Sequence, residues 1–236
     1  MTNPLERRQT LGVVEQRASD AGQRIGGYAA KFNTLSQNLG GFVERIAPGF
    51  FDSSRDAAWR GVMARYNHDM LLGTTAAGSL RLALDGTGLD YEVDLLDDEA
   101  SQRIFKLVTR GDVTQSSFAF VATEDEWTMT EQGFPLRTLI RGSLHDVAPV
   151  DSPAYLDTST GLRSLAECRG VDIAEVEALA RSNELAKILT TPPVVIDLAP
   201  AKRDTDPTPD EHGETGGSQV RLELLRHALK EKQNLP

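Results

Sequence analysis

The chain has 236 residues, 39% of them apolar and 25% charged, with a formal net charge of −10. That length suits one domain with a buried core plus an appendage and is short for two full domains. The acidic balance without a basic run argues against a nucleic-acid binder, the single Cys168 leaves no internal disulfide or cysteine-rich zinc site, and no apolar stretch is long enough to span a membrane.

The first residues, MTNPLERRQTLGVVEQRASD, lack the apolar core of a secretion signal, so a protein of a reducing compartment is expected. Residues 1–9 read as a flexible N-terminus, and Leu11, Val13 and Val14 alternate weakly, as in an edge strand. From Ile25 to Phe51, short apolar runs are separated by Gly26-Gly27 and Gly40-Gly41, the pattern of strands joined by turns. Ser53 and Ser54 precede a short helical candidate near Asp56 to Trp59.

Residues 61–121 read mainly as β-structure. Leu80, Leu82 and Leu84 alternate with Arg81 and Ala83, and Tyr91, Val93 and Leu95 alternate with Glu92 and Asp94. The intervening Asp-Gly-Thr-Gly is hairpin chemistry. DDEASQRIFKLVTRG follows as a helix, with acids at its start and Gly111 at its stop. Two more strands are expected in SSFAFVATEDEWTMT and FPLRTLIRGSLHDVAPV. Trp59 and Trp127 read as packing residues, and Cys168 as a thiol on a helix without a partner.

Past Thr160 the composition shifts. Residues 166–189 read as helix, with Ile173, Val176, Leu179 and Ala180 on one face. Residues 190–218, rich in Pro, Asp, Thr and Gly, read as a disordered linker, and 219–236 as a short amphipathic helix with Leu222, Leu225 and Leu229 in a stripe.

Common hydrolase signatures are absent: the chain has no Gly-x-Ser-x-Gly, no His-Glu-x-x-His and no Gly-x-x-x-x-Gly-Lys-[Ser/Thr]. A nucleophilic serine needs a base, and the base an orienting partner. Of four histidines, His212 falls in the linker and His227 on the terminal helix, leaving His68 and His145. Taken alone, a histidine in RYNHDM is more often structural, and Ser116-Ser117 at a strand start more often satisfies local backbone. Asp94, Asp97, Asp98 and Glu99 beside His68-Asp69 raise a metal site, but acids opening a helix are better explained by its dipole. No metal and no cofactor is expected.

The order of several segments resembles the prohead serine proteases of tailed phages, a family similar in fold to the herpesvirus assemblins. IGGYAAKFNT, GGFVERIAPGFF, ARYNHD, RGDVTQSSFAF and LHDVAPVDSPAYLDTS follow the family's order over roughly residues 24–162. The resemblance implies an α+β fold, mainly an antiparallel β-barrel with surrounding helices, over a protease domain at residues 10–165. It implies His68 as general base and Ser117 as nucleophile, with Ser116 out of register. It puts the third member at Asp146, with His145 as the competitor, because assemblins use a second histidine; on a strand the two point to opposite faces.

The sequence departs from the family at Ala119, where Gly is usual, at Phe50, and at Asp151-Ser152, where Thr-Phe is frequent; the last two are not expected to touch the chemistry. Arg137 and Arg141 could assist through water, although solvated strand-face charges are the plainer reading. The implied activity is serine endopeptidase cleavage of major capsid and scaffold proteins and of the chain itself, inside assembling proheads in the host cytoplasm. A homo-oligomer is compatible with it. The other reading is a non-enzymatic scaffold or assembly protein, which would need no pairing of His68 with Ser117.

Overall fold

Alternation and turn chemistry produce the elements where they are strongest. The computed structural model describes residues 4–10, 14–19, 22–151 and 159–190. In chain order the strands are β1 (Glu6–Thr10), β2 (Glu15–Arg17), β3 (Arg24–Lys31), β4 (Val43–Ile46), β5 (Met63–Tyr66), β6 (Met70–Thr74), β7 (Leu80–Leu84), β8 (Gly88–Asp94), β9 (Gln115–Met129) and β10 (Pro135–Val150). The helices are α1 (Asp52–Asp56), α2 (Glu99–Arg110), α3 (Ser159–Arg169), α4 (Ile173–Arg181) and α5 (Ala186–Thr190).

Long antiparallel β9 and β10 form the spine of one sheet, ordered β1-β9-β10-β5-β6, with β4 also paired to β10. The second sheet runs β2-β3-β8-β7. The fold is therefore mixed α+β. The pairings among the described residues give two open sheets ending at β1 and β6 and at β2 and β7, and closure into the expected barrel is not among them.

The expected β7–β8 hairpin forms around Asp85, whose carboxylate accepts from the Thr87 and Gly88 amides. Helix α2 starts at Asp98, which accepts from the Ser101 amide, and stops at Gly111 in the left-handed region (φ 89°). The core lies on the Phe118/Phe120 side of β9, against Ile25 and Ala29 of β3, Tyr91 and Val93 of β8, and Ile104 and Val108 of α2. Phe50, Phe51, Phe118 and Phe120 are all fully buried and meet largely edge to face, each burial worth about 1.5–3 kcal/mol. Phe50 packs where β10 carries Gly142; a β-carbon there would lie 2.3 Å from the Phe50 ring. Helices α3 to α5 pack through Leu165, Val176 and Ile188 onto Phe42 and Trp127, as the packing role of Trp127 anticipates.

Two local expectations are corrected. Helix α1 begins at Asp52, before the serines, and no side chain caps it. Ser53 Oγ donates instead to the Gly142 carbonyl, and Ser54 Oγ accepts from the Leu144 amide, so both serines tie α1 to β10. The N-terminal segment is not free from residue 6 onward, because Glu6–Thr10 pairs with β9. The described residues form one compact unit. The linker after Thr190 and the terminal helix at 219–236 lie outside the described residues, as does the segment 152–158.

What draws the charged β1 into the sheet is a buried ion cluster. Arg137, 1% exposed, donates to Glu6, Glu44 and Asp125 at 2.6–3.1 Å, and Arg8 donates to Glu6 and Glu44. Burial works against the Arg137 charge, but the hydrogen bond to Glu6 and the carboxylates of Glu44, Glu6 and Asp125 outweigh it and raise its pKa. Removing one partner from a buried cluster strands the others. Arg137→Leu leaves Asp125 without its cation and Glu6 and Glu44 sharing Arg8 alone, and is expected to cost about 3–5 kcal/mol in urea unfolding. A cost under about 1 kcal/mol, the scale of an exposed pair such as Arg141–Glu124, would refute the structural role.

Candidate active site

Two strands and a hairpin turn bring His68, Ser117 and Asp146 together. Ser117 sits within β9, between Gln9 of β1 and Ala148 of β10. Directly opposed residues share a face. Ser117, Ala119, Asp146 and Ala148 therefore share the face turned away from Phe118, Phe120 and Val147.

A β-bulge puts Asp146 there. Leu144 pairs with Phe120, but Asp146 pairs with Ala119, so His145 is an extra residue in β10. With unbroken register Asp146 would oppose Phe118 and point into the core. The bulge turns His145 and Asp146 toward the same side in succession; His145 is exposed and Asp146 is buried.

His68 comes from the turn between β5 and β6, closed by the Asp69 amide donating to the Tyr66 carbonyl at 3.0 Å. Asn67 (φ 54°) and His68 (φ 61°) both adopt the left-handed region. For a histidine that conformation costs about 1–2 kcal/mol, so the surroundings must hold it. It aims the ring across β10. His68 Nδ1 lies 2.6 Å from Asp146 Oδ1, and Nε2 lies 2.6 Å from Ser117 Oγ. With Asp146 accepting, Nδ1 carries the ring proton and the Nε2 lone pair faces the serine hydroxyl.

The site is dry. Ser117 is fully buried, and the His68 and Asp146 side chains are 5% and 11% exposed. The Ser117 hydroxyl also lies 3.0 Å from the Arg8 carbonyl of β1 as a second acceptor. An incoming peptide must displace whatever covers this hydroxyl. Ser116 points the other way, its Oγ 3.3 Å from the buried Tyr91 hydroxyl.

The remaining candidates have other partners. Arg137 is held in the buried ion cluster, neither solvated nor at the serine, and Arg141 pairs with Glu124 on the surface. Asp94 binds Arg24 and Arg81, Asp97 binds Gln102, and Asp98 caps α2. Ala119 avoids positive φ, so the freedom of the family's glycine is not needed there. Asp151, set aside in the sequence as remote from the chemistry, instead bonds to both residues preceding His68.

Residues 12–170 match the family model described as caudovirus prohead serine protease, more than half of the chain. The chain belongs to this family of prohead proteases. Membership gives it a protease role in capsid maturation. Among solved structures, the prohead protease is similar to the capsid assembly protease of bacteriophage T4, at 10% identity and a TM-score of 0.40, covering 64% of this chain and 98% of that one. No curated protein matches the sequence. Among the described residues no helix is long and apolar enough to cross a membrane.

Proposed function

We propose that this prohead protease is a serine endopeptidase in which Ser117 is the nucleophile, His68 the general base and Asp146 the orienting carboxylate. The observation that carries the proposal is the continuous hydrogen-bonded path Asp146–His68–Ser117, both links 2.6 Å, in a water-poor site. His68 Nε2 takes the Ser117 proton as Oγ attacks the scissile carbonyl, then returns it to the leaving amine. Asp146 keeps the ring in the needed tautomer and stabilises the imidazolium. Water then repeats the sequence on the acyl-enzyme. No step calls for a metal or a cofactor. An inert scaffold would have no need of this path.

The substrates proposed are the major capsid and scaffold proteins of the prohead, reached inside assembling particles in the host cytoplasm. The chain is proposed as its own substrate in the linker 190–218, following a catalytic domain at 10–165, extended to Glu6 by β1, and the helical segment 166–189. The terminal helix at 219–236 is proposed to dock on scaffold or on the inner shell. The test is intact-mass analysis of the full chain incubated alone and with the capsid and scaffold proteins of its own phage. New capsid or scaffold fragments that require active protein are expected, together with trimming between residues 190 and 218. Intact prohead proteins would overturn the endopeptidase assignment, and an untouched linker would overturn self-cleavage.

A further inference from the structure

Two successive left-handed residues place His68, in a turn closed locally by the bond from the Asp69 amide to the Tyr66 carbonyl. The end of β10 restrains this turn from outside. The Asn67 amide donates to the Pro149 carbonyl at 3.1 Å, the Asp151 amide donates to Asn67 Oδ1 at 3.1 Å, and the Tyr66 hydroxyl donates to Asp151 Oδ2 at 2.7 Å. Strand β10 thus carries Asp146 and, a few residues later, the anchor for the turn that aims His68 at it.

Each bond is kept over the neutral pH range. Burial, and then the bond to Asp151, push the Tyr66 hydroxyl up to about 12, so it stays a donor. The bond from Tyr66, and next that from Asn67, hold the Asp151 carboxyl below its ordinary value, so it stays an acceptor.

We propose that Tyr66 and Asp151 are positioning residues: together they clamp the Asn67-His68 turn so that the imidazole spans Asp146 and Ser117. This rests on the reading of His68 as general base. Asp151 and Asn67 are exposed, so breaking the clamp uncovers little apolar core. A misplacement of the base by about 1 Å, by contrast, costs on the order of a hundredfold in rate. The clamp should therefore govern reactivity far more than stability.

The test uses a fluorophosphonate probe on the full chain. Ser117 Oγ forms a bond to phosphorus, the P–F bond breaks, fluoride leaves, and the serine proton passes to His68. Wild type should label at Ser117 and Ser117→Ala should not; an unlabelled wild type would sink the base–nucleophile reading itself, separately from the clamp. Given labelling, Asp151→Leu and Tyr66→Phe should each slow it by about tenfold or more, with the melting temperature nearly unchanged. The double variant should be no slower than the worse single variant, because both remove the same bond. Asp151→Asn, which retains an oxygen for Tyr66 and the amide for Asn67, should restore most of the rate. Wild-type labelling in Asp151→Leu, multiplying effects in the double variant, or rate losses that track melting would each overturn the proposal.

Discussion

Ser117→Ala and His68→Ala are each expected to lower turnover of prohead proteins by about a millionfold, with the double variant no worse than either alone. The expectation follows from the 2.6 Å contact between His68 Nε2 and Ser117 Oγ: either group without the other performs no step. Both variants should remain folded. Among the described residues the Ser117 hydroxyl bonds to His68 and the Arg8 carbonyl, a loss of about 1 kcal/mol. Removing His68 also relieves a side chain from a left-handed backbone position only in part, since any non-glycine residue keeps that cost. Ser116→Ala should retain activity, because that side chain faces Tyr91. Product formation is read by gel and intact mass. Turnover surviving in Ser117→Ala but lost in Ser116→Ala would move the nucleophile by one residue.

Asp146→Asn is expected to reduce kcat by about ten-thousandfold without unfolding the domain. The amide nearly preserves the shape of a buried side chain while removing the charge that stabilises the imidazolium. It also offers an N–H toward Nδ1, which favours the wrong tautomer. His145→Ala should change little, because His145 is exposed in the bulge. Kinetics on one cleaved prohead peptide, with unfolding midpoints as control, decide between the two. Full activity in Asp146→Asn with collapse in His145→Ala would establish a histidine as third member instead.

What could be read from the sequence was what local chemistry determines. The β7–β8 hairpin, α2 with Asp98 and Gly111 at its ends, and the long β9 and β10 carry their signals within a few residues. Strand β1 does not: Glu6 and Arg8 look solvated until Glu44 and Arg137, far along the chain, meet them in the interior. Ser53 and Ser54 look like caps for a similar reason, since their true partners are backbone groups of β10. His68 and Ser117 were singled out through the family's segment order, because their own sequence neighbourhoods favour structural roles. The choice between His145 and Asp146 stayed open because strict alternation gives only opposite faces, and a bulge suspends that alternation. Asp151 was missed because its partners, Tyr66 and Asn67, lie in a turn that only the fold brings near.

The bulge at His145 also determines which genetic changes the site can absorb. A codon change at 145 swaps one exposed side chain for another and leaves the parity of β10 as it was. Loss of that same codon would remove the extra residue, so that Leu144 opposite Phe120 is followed at once by Asp146 opposite Ala119, and the carboxylate keeps its face. A mutational scan would therefore score position 145 as tolerant of substitution and of single-codon deletion alike. The pairing of Asp146 with Ala119, and neither the presence nor the identity of residue 145, keeps the carboxylate beside Ser117.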